Sequence, residues 1–75
     1  VDPDACVNRL LEALGDRSRE EAEEAADDLN EWLEKGGFEP RRSAEVEITQ
    51  ALVAADLADG ECPAVDDLLT RLRGE

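Results

Sequence analysis

Apolar residues recur along this chain at intervals of three and four, in four blocks set apart by Gly, Pro and Ser. In the first block Val7, Leu10, Leu11 and Leu14 share one helical face. Asp2 is placed to cap that helix, Pro3 suits its first turn, and Gly15 reads as a left-handed stop. The second block carries Ala22, Ala25, Ala26, Leu29, Trp32 and Leu33, and Ser18 with Glu21 has the spacing of a capping box. Gly36 and Gly37 end it, and Phe38 falls where a Schellman turn would fold an apolar side chain back onto the helix. Ser43 opens a third block that runs to about Asp59, with Gly60 as its stop. Cys62-Pro63 opens a fourth, with Val65, Leu68, Leu69 and Leu72 on one face. The spacing predicts helices over residues 3–14, 19–35, 44–59 and 63–73, in a single domain covering 1–75. No stretch of useful length alternates with a period of two. The expected fold class is all-α: a small compact four-helix bundle or orthogonal helical array with short loops.

The third block is apolar on two sides. Ala44, Ile48, Ala51, Leu52, Ala55 and Ala58 form one broad face, and Val46, Val53 and Leu57 form a second nearly opposite. A helix of that kind is central to its fold or shared with another chain. In a domain this small the expectation is a central helix; the alternative is a partner or dimer face at Val46, Val53 and Leu57.

Charge then changes the picture. The chain has a formal net charge of −13 in 75 residues, and the stretch from Ser18 to Lys35 alone holds eight carboxylates. Glu20–Glu24, Glu23–Asp27, Glu24–Asp28 and Asp27–Glu31 are like-charge neighbours four apart, each costing an isolated helix roughly 0.2–0.5 kcal/mol. Arg17–Glu21, Arg19–Glu23 and Glu31–Lys35 return part of that. The surplus implies a negative surface kept for solubility or for a basic partner. It excludes non-specific binding to nucleic acid or to an anionic membrane, whose phosphates it would repel. No apolar run approaches the roughly 18 residues of a membrane span, and no signal-peptide core stands near the start. The chain opens on Val1 rather than Met, as a trimmed start would.

Candidate chemistry is sparse. There is no His, Tyr or Met, so the usual proton-transfer residue is missing. Cys6 and Cys62 are a candidate disulfide, but the expectation is two reduced thiols, which favours a cytoplasmic setting. The helix start at Cys62 should lower its thiol pKa, with Glu61 opposing. Around Gly60 a calcium-loop register would place Asp59 fifth and Asp66 twelfth, but it puts Ala55 and Leu57 at the first and third ligand positions. That register fails, and no metal or cofactor is expected. No Gly-rich phosphate cradle and no nucleophile–base pair is present, so no catalytic residues are assigned.

In size, acidity and helix count the chain resembles acyl carrier proteins, which attach their prosthetic arm to a Ser in an Asp-Ser-Leu motif opening the second helix. Here Ser18 lies in Asp16-Arg17-Ser18-Arg19 and Ser43 in Arg41-Arg42-Ser43-Ala44, after only a short first loop. The motif is broken at both serines, which instead read as helix caps. Trp32, Leu33, Gly36, Gly37, Phe38 and Pro40 read as a core corner, with an aromatic anchor for a partner as the alternative. Arg41 and Arg42 are expected to neutralise acids of the second helix. The functional expectation is a soluble, non-enzymatic interaction module. It would bind a basic or apolar protein partner, or a second copy as a homodimer, through the acidic face Glu20, Glu24, Asp27 and Glu31 and the Val46, Val53, Leu57 face. The alternatives are a DNA-mimic inhibitor and a purely structural self-associating unit.

Overall fold

The computed structural model describes residues 2–57 and 60–74. It holds four helices: α1 (Pro3–Gly15), α2 (Arg19–Glu34), α3 (Ala44–Ala54) and α4 (Pro63–Arg73), with no strand among the described residues. α1 packs against α2 and α3, and α4 against the same two, whereas α2 and α3 make no close approach to each other. The helices therefore stand at four corners with α2 and α3 on a diagonal. Cys6 lies beside Trp32 and Asp16 near Glu21, so α1 and α2 run antiparallel across their short turn.

The core contains the α1 face of Val7, Leu10 and Leu14, the α2 stripe of Ala22, Ala25, Ala26 and Leu29, Ile48 and Leu52 of α3, and Val65, Leu68 and Leu69 of α4. The small side chains of α2 let α1 and α4 both approach its backbone closely. α2, not α3, is thus the helix with the most extensive packing, and the expectation of a central third helix is corrected.

α3 also ends at Ala54, five residues short of the expected Asp59 (which, with Ala58, lies outside the described residues). Asp56 takes a left-handed φ of 61°, and the Asp56 and Leu57 N–H groups donate to Val53 and Leu52 carbonyls, a Schellman closure. Had the helix continued, Leu57 would have joined Val46 and Val53 on the outer face. The turn instead packs it, half-buried, against the core. Leucine burial opposes a left-handed strain of about 1–2 kcal/mol at Asp56.

The stop of α1 follows the same logic. Gly15 remains helical, and Arg17, at φ 57°, is the left-handed residue, with Arg17 and Ser18 N–H groups donating to Leu14 and Ala13. That closure explains why the expected capping box is not made. The Ser18 N–H that Glu21 would accept from is already bonded to Ala13 O at 2.9 Å, and Ser18 makes no side-chain cap. Ser43 does not cap α3 either: its backbone is already helical, and its hydroxyl meets Glu47 Oε2 at 3.4 Å. Asp2 caps α1 as expected, accepting from Asp4 N at 3.0 Å.

α2 closes as its sequence indicates, with Gly36 left-handed and Gly36 and Gly37 N–H groups donating to Leu33 and Trp32. Trp32 Nε1 donates to Phe38 O at 3.0 Å, and the two rings meet edge-on with centroids 5.6 Å apart. The corner joins core and surface: Trp32 and Leu33 are half-buried against the core and Pro40 is buried, whereas Phe38 is 68% exposed.

Candidate interaction site

The outer face of α2 carries Glu20, Glu24, Asp27 and Glu31, all exposed. At 1.5 Å of rise per residue they step about 6, 4.5 and 6 Å along the axis, forming one ridge. Glu31 pairs with Lys35 at 2.9 Å; that hydrogen bond, with the charge behind it, holds the Glu31 carboxyl below its ordinary value and the Lys35 ammonium above. Arg9 reaches from α1 to Asp28 at 3.0 Å and to Glu24 at 3.8 Å. Glu20 and Asp27 make no ion pair or hydrogen bond among the described residues. Arg17–Glu21 and Arg19–Glu23, expected as compensating pairs, do not form.

Glu23 does something else. The first residues of α4 have no local cap, since Cys62 offers no side-chain acceptor. Glu23 Oε2 accepts from Ala64 N at 2.8 Å, and Asn30 Nδ2 donates to Ala64 O at 2.9 Å. A carboxylate of α2 thus caps α4 across the interface, where the helix dipole favours negative charge. Asn30 Oδ1 is left buried without a partner among the described residues.

A groove runs between α1 and α2 with Arg9 at its middle. Towards the α1–α2 turn it opens into a depression of about 370 Å³ bordered by Glu12, Asp16, Glu21 and Glu24. Towards the other end a mainly apolar depression of about 400 Å³ is lined by Cys6 and Trp32 and rimmed by Asp28, Glu31 and Lys35. Arg9 borders both. Trp32 and the ridge are legible in the sequence, whereas the groove is not. The available signal was Arg9, the one cation of the first helix, opposite a helix crowded with acids.

The second apolar face is only partly real. Val46 and Val53 are 51% and 75% exposed on α3, but Leu57 is packed against the core and is not part of that surface. Because α3 stands diagonal to α2, the structure does not bring these valines to the acidic ridge.

Cys6 and Cys62 are both free thiols. Cys6 neighbours Trp32, whereas Cys62 lies near Glu23 and Arg19. The candidate disulfide is therefore not formed, and the two thiols stand beside different parts of α2. Burial pushes the Cys62 thiol up, Glu23 adds to this, Arg19 opposes it, and Asp66 and Glu61 add further. The expected lowering at the helix start is thereby reversed. Arg41 serves α1 and α3 rather than α2: its N–H donates to Asp4 Oδ1 at 3.0 Å and its guanidinium meets Asn8 and Glu47. Asp66 accepts from Gly60 N at 2.7 Å, which ties Gly60 to the first turn of α4.

Among the described residues, no three His, Cys, Asp or Glu side chains converge to hold a metal ion, and no helix is long and apolar enough to cross a membrane. No family model, no curated protein and no solved structure matches the chain.

Proposed function

We propose that this chain is a non-enzymatic protein-interaction module that binds a basic partner through the carboxylates of α2. The observation that carries the reading is the ridge of exposed carboxylates Glu20, Glu24, Asp27 and Glu31, of which Glu20 and Asp27 make no ion pair or hydrogen bond among the described residues. Asp27, with Glu23 and Glu31 four residues away on either side and no cation paired to it, costs the fold stability, whereas Glu20, in the first turn of α2, recovers part of that cost from the helix dipole. The same ridge steers a cationic surface at a distance and selects against anionic ones. The apolar contact that would hold such a partner is better supplied by Trp32 and Cys6, next to the ridge, than by Val46 and Val53 across the diagonal. Two exposed valines also fall well short of the ~800 Å² per partner of a stable interface, which weighs against self-association through α3.

The test is a titration of isotope-labelled protein with helical peptides of matched apolar content in anionic, neutral and cationic versions. The cationic peptide alone should shift the amide resonances of α2. A Glu24→Gln, Asp27→Gln double substitution should weaken binding roughly tenfold, as two charge pairs of about 0.7 kcal/mol each would. Equal binding of all three peptides would refute the proposal. Mimicry of a phosphate backbone is the second reading, motivated by the regular carboxylate steps along α2. It requires the ridge to compete with duplex DNA for a DNA-binding protein, and a failure of the chain to displace DNA would remove it.

A further inference from the structure

The two ends of the α1–α2 groove differ in kind. At the Trp32 end the rim charges are already matched, Arg9 to Asp28 at 3.0 Å and Lys35 to Glu31 at 2.9 Å, around a mainly apolar floor. At the other end Glu12, Asp16, Glu21 and Glu24 face Arg9 alone, and Arg9 stands 3.8 Å from Glu24. An apolar side chain and a cation are thus favoured at opposite ends. The indole is also fixed before anything binds. Its Nε1–H is bonded to Phe38 O, Phe38 meets it edge-on, and the Gly37 backbone lies against the ring so closely that a Cβ there would fall on Cδ2, Cε2 and Nε1. An aromatic platform already held in place loses little conformational freedom on binding, which is the usual character of an interface anchor.

We infer that this groove docks a segment of another protein that sets an apolar side chain against Trp32 and Cys6 and places Arg or Lys side chains against Glu24 and Glu21. Eight residues of α2 separate Glu24 from Trp32 and eleven separate Glu21 from it, about 12 and 16 Å. The partner must span that distance between its apolar anchor and its cations, as about eight to eleven helical residues or four to five extended ones. Arg9 marks the boundary and shows that the carboxylates beside it accept a guanidinium. This deepens the basic-partner proposal and rests on it.

The experiment is selection from a Trp-free random peptide display library on the intact chain, followed by affinity measurements through Trp32, the only Trp present. Enriched peptides should carry an apolar anchor with basic residues at one of those two separations, and should shift Trp32 emission. Glu21→Gln, Glu24→Gln should weaken them about tenfold, and Arg9→Gln, which removes a competing cation, should tighten them several-fold. Glu20→Gln, Asp27→Gln, on the ridge outside the groove, should have the smaller effect. Basic peptides without an anchor, or whose binding responds to the ridge pair and not the groove pair, would overturn the groove inference and leave the acidic-module reading standing. Enrichment without basic residues, or none at all, would overturn both.

Discussion

Removing the carboxylate that caps α4 from a neighbouring helix tests the packing account where it is most specific. Glu23→Ala deletes the acceptor that lies 2.8 Å from Ala64 N. Losing a helix cap costs about 1–2 kcal/mol, and this one is part-buried and charge-assisted. Glu23 is also four residues from Asp27, so its removal returns roughly 0.2–0.5 kcal/mol of like-charge repulsion. The net loss is about 1 kcal/mol, which in a domain of this size lowers Tm by roughly 4–8 °C. Glu23→Gln keeps an acceptor of similar reach and loses only the charge, so it should fall between the two. Thermal unfolding followed by far-UV circular dichroism reads all three. Removing the carboxylate also removes one of the groups that raise the Cys62 thiol, so the pH profile of Cys62 alkylation should move down. An alanine variant as stable as the wild type, or more so, would show that Glu23 is simply one more member of an acidic surface.

The other structural predictions are smaller in scale. Gly37→Ala places a methyl group on the Trp32 ring; it should cost about 1–3 kcal/mol by overpacking and red-shift Trp32 emission, whereas an unchanged spectrum would mean the ring is not held there. Arg17→Gly relieves a left-handed backbone strain of about 1–2 kcal/mol at some cost in chain entropy, so urea unfolding should show a gain of about 0.5–1 kcal/mol. The Glu31 carboxyl is depressed by Lys35, so its favourable interaction is present above the ordinary carboxylate range and is lost as pH falls through the lowered value. Carboxyl NMR titration of wild type and Lys35→Gln should show the Glu31 midpoint returning upward in the variant; no movement would dismiss the pair.

The helix count, both Pro-led starts and the α2 terminus were legible because each rests on local chemistry. Asp2-Pro3, Cys62-Pro63 and Gly36-Gly37-Phe38 carry their signals within a few residues. The misread positions are those where a competing hydrogen bond or the packing of another side chain decided the outcome. Ser18 has the sequence of a capping box, yet the end of α1 consumes its N–H first. Gly15 and Gly60 look like stops, yet Arg17 and Asp56 take the left-handed turns, at α3 because that folds Leu57 inward. Glu23 reads as a surface acid until α4 is found without a local cap. A helix start lacking Ser, Thr, Asp or Asn beside an acid-rich helix was the available clue. The ridge was legible from the i, i+4 repeat, but the groove beside it needed the pairing of α1 with α2.

The central claim is that the acids of α2 recognise a cationic partner, and its most direct test is the salt dependence of cationic-peptide affinity measured by titration calorimetry. Wild-type affinity should fall steadily as salt rises, and the Glu24→Gln, Asp27→Gln variant should bind more weakly with a flatter dependence. Affinity that ignores salt, or is the same in the variant, would contradict the claim.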